Sequence, residues 1–262
     1  MSLAQFKVLI FDVYGTLVDW ESGIYNSLTP LVTDLGHQWS NLRRTIATPL
    51  CSARRAGSER KHRCARRDLQ GFRGSNIYDL FRGRIRCRVQ QQDRLPCAGN
   101  RVRSLARPLA DLPDTIAALA KLSSLGLKLT VLSNVDRASF SHTRAALERG
   151  FVFDAVYTAE EIGSYKPDPH NLQYAVTQLQ ADYPALEREQ ILVVAQSLPH
   201  DHVPARALGL SSVWIDRPDA VTCLDGDGVP KSRTAKETFA GWRFRSLEDF
   251  ADAVEMAKTK PS

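Results

Sequence analysis

The chain has 262 residues, 43% of them hydrophobic and 8% aromatic, with 35 Lys and Arg against 29 Asp and Glu, 15 Gly and 5 Cys. That is enough chain for one large domain or a core with a smaller partner, and it excludes a collagen, a disordered chain and a disulfide scaffold. The net charge of +6 is unevenly placed: residues 37–107 hold 18 Lys and Arg, 17 of them Arg, against 4 acids, which leaves the rest of the chain at −8.

FKVLIF at residues 6–11 is a short continuous apolar run of β-formers, the pattern of a strand buried on both faces of a parallel sheet. Asp12 ends it, so the opening does not read as a signal peptide, and no apolar run approaches the ~20 residues that span a bilayer. An odd set of five Cys without an export signal reads as reduced thiols in a cytoplasmic protein.

The Arg-rich segment that follows contains Cys51, Cys64, Cys87 and Cys97 without paired CxxC spacing, and shows no sustained helical or strand periodicity. A nucleic-acid arm needs its bases on one face with aromatics interleaved, and Trp39, Phe72, Tyr78 and Phe81 form no such repeat. The abrupt change of composition at both edges favours coding sequence translated out of frame over an Arg-rich, poorly ordered insert.

From Pro113 the pattern becomes regular again. Ile116, Leu119 and Leu122 predict a helix ending at Gly126, and LKLTVL at 127–132 a strand that delivers Ser133 and Asn134. A helix over Ala138–Arg149, a strand near 154–159, a loop through EEIGSYKPDP and a helix over His170–Gln180 follow. QILVVA at 190–195 and SSVWID at 211–216 are further strands, with a short helix closed by Gly209 between them. A terminal amphipathic helix over Phe244–Ala257 carries Leu247, Phe250, Val254 and Ala257 on one stripe. Strands alternating with helices form right-handed crossover units, so the fold class is α/β, a doubly wound parallel sheet. Ligands bind such sheets beyond the carboxyl ends of the strands.

Those ends carry the chemistry-bearing residues. Asp12 sits before Gly15 and Thr16, where free backbone N–H groups at a turn suit an ionised carboxylate acting as nucleophile or metal ligand, or simply capping the turn. Ser133 and Asn134 suit an anionic group or an ordinary turn. Lys166 pairs with Asp12 to hold it ionised, or is solvated surface. His200 and His202 flank Asp201 but lack a third ligand at zinc spacing, so both read as structural. LDGDGVP at 224–230 lacks the later bidentate Glu of a calcium loop and reads as a Gly-rich turn.

In this order the motifs FDVYGTLVDW, LSNVD, GSYKPDP and VVAQSLPHD resemble the four motifs of the haloacid dehalogenase superfamily, over residues 5–35 and 112–257. The match is closest to its type II 2-haloacid dehalogenase branch. Tyr14 discriminates: phosphatases of the superfamily carry DxDGT, with a second Asp as acid and base for the leaving alkoxide, whereas a departing halide needs no proton. Tyr, with a pKa near ~10, does not replace that carboxylic acid near neutral pH.

The resemblance implies a Rossmann-like core over 1–35 and 112–262, with a cap-position insert at 36–111. It implies SN2 attack by Asp12 on C2 of a short 2-haloacid, then hydrolysis of the aspartyl ester to the 2-hydroxy acid. Thr16 would bond the Asp12 carboxylate and Lys166 would supply positive charge beside it. Asp201 would position Lys166 or the hydrolytic water, and Tyr14, Ser133, Asn134 and Ser197 would contact substrate. Pro199, in the fourth motif, removes a backbone donor from a loop that should line the site. The implied partners are a small-molecule substrate and a second copy in a homodimer, with no nucleic acid, membrane, metal or cofactor. The alternatives are an Mg²⁺-dependent phosphatase or phosphonate hydrolase, with the ion between Asp12 and Asp201, and an inactive relative with a defective cap. Arg43 stands at a suitable distance for a halide-binding Arg, but in so Arg-rich a segment it is left unassigned.

Overall fold

A computed structural model of the protein describes residues 2–20, 22–23, 111–218 and 224–259. The Arg-rich stretch, its four cysteines and its proposed frame lie outside the described residues, as does the boundary at 35/36.

Strand β1 (Val8–Phe11) is followed by α1 (Thr115–Ser124), β2 (Lys128–Ser133), α2 (Arg137–Leu147), β3 (Ala155–Thr158), α3 (Ala159–Ile162) and α4 (Pro169–Asp182). Then come β4 (Ile191–Ala195), α5 (Val203–Ala207), β5 (Ser211–Ile215), α6 (Arg233–Glu237), β6 (Trp242–Phe244) and α7 (Leu247–Thr259). The strands form one sheet in the order β3-β2-β1-β4-β5-β6, every neighbouring pair parallel. None of these helices is long and apolar enough to cross a membrane.

Every residue of β1 and β4 is buried, because helices cover both faces of the sheet. Alternation divides the side chains: Leu9, Phe11, Leu129, Val131, Leu192 and Val194 pack with Leu119 and Leu122 of α1 and Phe250 and Val254 of α7. Val8, Ile10, Leu132, Ile191 and Val193 pack on the other face with Leu172, Val176 and Leu179 of α4 and Ala205 of α5. The α7 stripe is as expected, with Leu247, Phe250 and Val254 buried and Ala257 packed against the same core. Gly126 ends α1 at φ +78°, a conformation that costs an L residue about 1–2 kcal/mol.

The structure departs from the sequence expectations at irregular points. The 159–168 stretch opens with the single turn of α3, closed by Gly163 at φ +75°, and the Lys166–Pro167 bond is cis. Phe244 belongs to β6, not to the terminal helix, and neither β6 nor α6 was expected, since WRF is half-buried with a charged residue at its centre. A π-helical turn at Leu198–His202 precedes α5. Asp111 already belongs to the core edge: it bridges Val18, and Leu112 N donates to Leu17 O at 3.2 Å.

Strand β1 lies between β2 and β4, so successive connections leave it in opposite directions. The resulting crevice opens beyond its carboxyl end, at the position of Asp12.

Candidate active site

Asp12 stays in register with the sheet, its N–H donating to Val194 O at 3.1 Å, before the chain turns. The turn is tight: Thr16, Leu17 and Val18 all donate to Val13 O, and Gly15 donates to Val18 O. Gly15 has φ +96°, and a Cβ there would lie 3.0 Å from Trp20 Nε1. Only glycine meets both conditions without displacement. The turn brings Thr16 back onto Asp12, where its hydroxyl donates to Oδ2 at 2.8 Å and accepts from Gln196 N–H at 2.9 Å. Thr16 is fully buried, so this one hydroxyl ties the end of β1 to the end of β4.

Lys166 arrives from the loop after α3. The Asn134 side chain clasps its backbone, Oδ1 accepting from Lys166 N at 2.7 Å and Nδ2 donating to Lys166 O at 3.0 Å. The ammonium then uses its three donors on Asp12 Oδ1 at 2.8 Å, Asp201 Oδ1 at 2.7 Å and Leu132 O at 3.0 Å. The Lys166 and Asp201 side chains are 4% and 5% exposed and that of Asp12 11%, so little water screens the cluster. Burial opposes the Lys166 charge, yet Asp12 and Asp201 outweigh it and hold its pKa above the usual lysine value. Burial pushes the Asp201 carboxyl up to about 7, the Asp12 charge adding to the rise and Lys166 opposing it. Asp201 Oδ2 is buried without a hydrogen-bond partner among the described residues.

The fourth motif folds as the π-helical turn. Ser197 caps it, its Oγ accepting from His200 N at 3.2 Å and lying 2.8 Å from His200 Nδ1. Pro199 falls in the first turn, where a backbone N–H has no partner within the helix, so the missing donor costs nothing there. His202 is fully buried, with Nε2 3.0 Å from Ala195 O and Nδ1 2.9 Å from Ser212 Oγ. The carbonyl only accepts, so Nε2 carries the proton, and burial pushes the His202 pKa down to about 4. It is a neutral structural histidine. Burial, with the Lys166 charge, also lowers the His200 pKa.

The structure therefore brings Asp12, Thr16, Lys166 and Asp201 into one hydrogen-bonded cluster. The Asn134 amide is committed to the Lys166 backbone, Ser197 Oγ to His200, and the Tyr14 hydroxyl lies 3.0 Å from Thr143 Oγ1 on α2. Burial raises the Tyr14 pKa, so the phenol stays neutral. Ser133 Oγ is buried and without a partner among the described residues. Sequence reasoning missed Gln196, whose carbonyl accepts from Trp214 Nε1 at 3.0 Å, and Arg217, whose guanidinium donates to Thr16 O at 2.8 Å and Asp114 Oδ2 at 2.6 Å. Position just past a strand end was the one available signal for both. It also took His200 for a structural residue, whereas His200 lines a small cleft with Asp12, Lys166, Asp201, Ile10 and Val193. No group of metal-binding size is found among the described residues.

A family model described as haloacid dehalogenase-like hydrolase matches residues 6–209. Among curated proteins, (S)-2-haloacid dehalogenase H-109 of Pseudomonas putida is 31% identical over 129 residues, 49% of this chain and 54% of that protein. Glyceraldehyde 3-phosphate phosphatase of Methanocaldococcus jannaschii is 31% identical over 157 residues, 59% of this chain and 60% of that one. The chain thus spans little more than half the length of these relatives. Among solved structures, L-2-haloacid dehalogenase from Xanthobacter autotrophicus superposes with a TM-score of 0.64 at 20% identity, covering 95% of this chain and 98% of that one. A phosphatase from Thermococcus onnurineus gives 0.53 at 22% identity, covering 94% and 97%. At such identities the likeness establishes the fold alone.

Proposed function

This chain belongs to the haloacid dehalogenase-like hydrolase family, and from that premise we propose that it hydrolyses the carbon–halogen bond of a short 2-haloacid through an ester on Asp12. One observation carries the reading. Asp12 is held by a buried ammonium on Oδ1 and a buried hydroxyl on Oδ2, while the residue two positions on is a phenol bonded to Thr143. Such a site favours a carboxylate nucleophile and lacks a carboxylic acid to protonate a leaving alkoxide. A halide leaves without a proton.

In this reading an Asp12 oxygen forms a bond to C2 as the carbon–halogen bond breaks and halide departs with the electron pair. Lys166 places its positive charge against Oδ1 at 2.8 Å, and Thr16 orients the carboxylate so that one oxygen faces the substrate. Ser133, at the end of β2, supplies a hydroxyl for the substrate carboxylate. Asn134 acts through Lys166, whose backbone it holds. Water then adds to the ester carbonyl of Asp12 and the 2-hydroxy acid leaves.

The dehalogenase relatives favour this chemistry, and the longer match to the archaeal phosphatase favours a second reading, Mg²⁺-dependent phosphate release. The donor set fits that ion poorly. Both carboxylates give Oδ1 to Lys166 and Asp12 gives Oδ2 to Thr16, which leaves Asp201 Oδ2 as the uncommitted carboxylate oxygen. A small cation demanding near-octahedral oxygens would need the cluster rearranged.

The test compares halide release from 2-chloropropionate with phosphate release from phosphate monoesters, each with and without Mg²⁺, in the wild type and Asp12→Asn. Metal-independent halide release, lost in a folded Asp12→Asn protein, is expected. Single turnover in ¹⁸O water should leave the label on Asp12 and not on the product. Chelator-sensitive phosphate release without halide release would replace this reading by the second.

A further inference from the structure

We propose that His200 is the catalytic base of the second half-reaction, taking the proton from the water that attacks the Asp12 ester. The inference rests on the reading above and extends it to a residue the sequence presented as structural.

The base must lie beside Asp12 with an uncommitted acceptor. Asp201 has the position and a free Oδ2, but its Oδ1 holds the Lys166 ammonium at 2.7 Å, so a proton taken up by this carboxyl would weaken the contact that places Lys166 on Asp12. Lys166 Nζ has all three donors engaged. Thr16 Oγ1 is shared between Asp12 and Gln196 N. His202 uses both ring nitrogens on Ala195 and Ser212, away from the cluster.

His200 differs from all of these. It lines the cleft that is also lined by Asp12, Lys166 and Asp201, with Ile10 and Val193. Its Nδ1 lies 2.8 Å from Ser197 Oγ, and that oxygen also accepts from His200 N. The contact pins the ring from one side, as an orienting group does for a catalytic imidazole. Nε2 has no hydrogen-bond partner among the described residues, and in the tautomer that the proposal requires, with the proton on Nδ1 directed at Ser197, it keeps its lone pair. The cleft is of the size to hold a water-sized molecule, and a buried water needs two to four polar contacts. His200, Asp201 and Asp12 all line that cleft, and each carries polar atoms for such contacts.

The step balances. The water oxygen bonds to Cγ of the Asp12 ester while one water proton moves to His200 Nε2. The tetrahedral adduct collapses by breaking the bond from Cγ to the oxygen that carries the product's C2, and that oxygen takes the proton from Nε2. The Asp12 carboxyl then releases its remaining proton to solvent, so one water and one haloacid give one hydroxy acid, one halide and one proton.

The experiment uses the full chain with 2-chloropropionate, reading chloride, product and intact protein mass in the wild type, His200→Asn and His200→Ala. Asn places an amide where Nδ1 stood and keeps the contact with Ser197, so it separates holding from proton transfer. His200→Asn should release one chloride per site and then stall with a 1-carboxyethyl ester on Asp12, its steady-state turnover down about 10²–10⁴-fold. Added imidazole should restore turnover to His200→Ala.

Steady turnover by His200→Asn close to the wild-type rate would overturn the assignment and leave the nucleophile reading intact. A folded His200→Asn protein with neither burst nor ester would overturn it too, because His200 would then act before the ester forms. A wild type that releases no halide would instead remove the reading on which the assignment rests. If His200→Ala fails to fold, the mass and burst of His200→Asn decide the matter alone.

Discussion

Replacing Lys166 by Met removes the one cation between two carboxylates while keeping most of the volume. Two charge-assisted hydrogen bonds are lost, each contributing about 1.5–3 kcal/mol, and Leu132 O loses its contact with the ammonium. Side-chain exposures of 4–11% leave little solvent to replace them. Breaking a buried pair from one side costs about 3–5 kcal/mol, the range expected at pH 8.5. The cost should depend on pH with a definite sign. The Asp201 pKa is already raised to about 7, against about 3.9 for an unfolded Asp, so the folded state holds a proton there that the unfolded chain has released. That contribution is largest below pH ~4 and is lost as pH rises through about 7. Losing Lys166 raises the Asp201 pKa further, so at pH 5.5 Asp201 is neutral and a single carboxylate remains without a counter-ion. The raised Lys166 pKa keeps the wild-type ammonium charged at both pH values. Urea unfolding of both proteins, followed by circular dichroism, should give about 3–5 kcal/mol of destabilisation at pH 8.5 and clearly less at pH 5.5. An equal loss at the two pH values, or none at pH 8.5, would refute the account of Asp201 and Lys166 as one coupled cluster.

Other perturbations probe the turn after Asp12. Thr16→Val keeps shape but removes the hydroxyl that Gln196 N–H and Asp12 Oδ2 share, which should cost about 1–3 kcal/mol in unfolding free energy and, under the proposed function, lower halide release. Gly15→Ala meets both a φ of +96° and Trp20 at 3.0 Å, so a loss of about 1–2 kcal/mol or more by thermal unfolding should accompany a drop in kcat. An alanine protein as stable as the wild type would mean that the turn is not held as tightly as its geometry indicates.

Much of the fold is legible in the sequence because a strand covered on both faces must be apolar throughout. VLIF and ILVVA could be read directly for that reason. The edge strand Trp242–Phe244 could not, since its half-buried residues place Arg243 between two aromatics, and its pairing with β5 decides the assignment. The single-turn helices α3 and α6 and the π-helical turn are likewise products of local closure more than of periodicity.

Chain-local pattern sets which side chains stand at the strand ends, Asp12, Ser133 and Asn134, and which stand in the later motifs, Lys166 and Asp201. Local apolar pattern fixes where each strand stops, and the polar residue at the stop is part of the same local signal. What these residues do to one another follows from how the chain packs. Lys166 meets Asp12 across 154 positions and Asp201 across 35, a convergence set by parallel crossovers on either side of β1. Asn134 turned from a candidate substrate contact into the clasp of the Lys166 backbone, and His200 from a structural histidine into a wall of the cleft. Burial then raised the Asp201 pKa, because desolvation depends on everything packed around a carboxylate and on nothing in its immediate sequence.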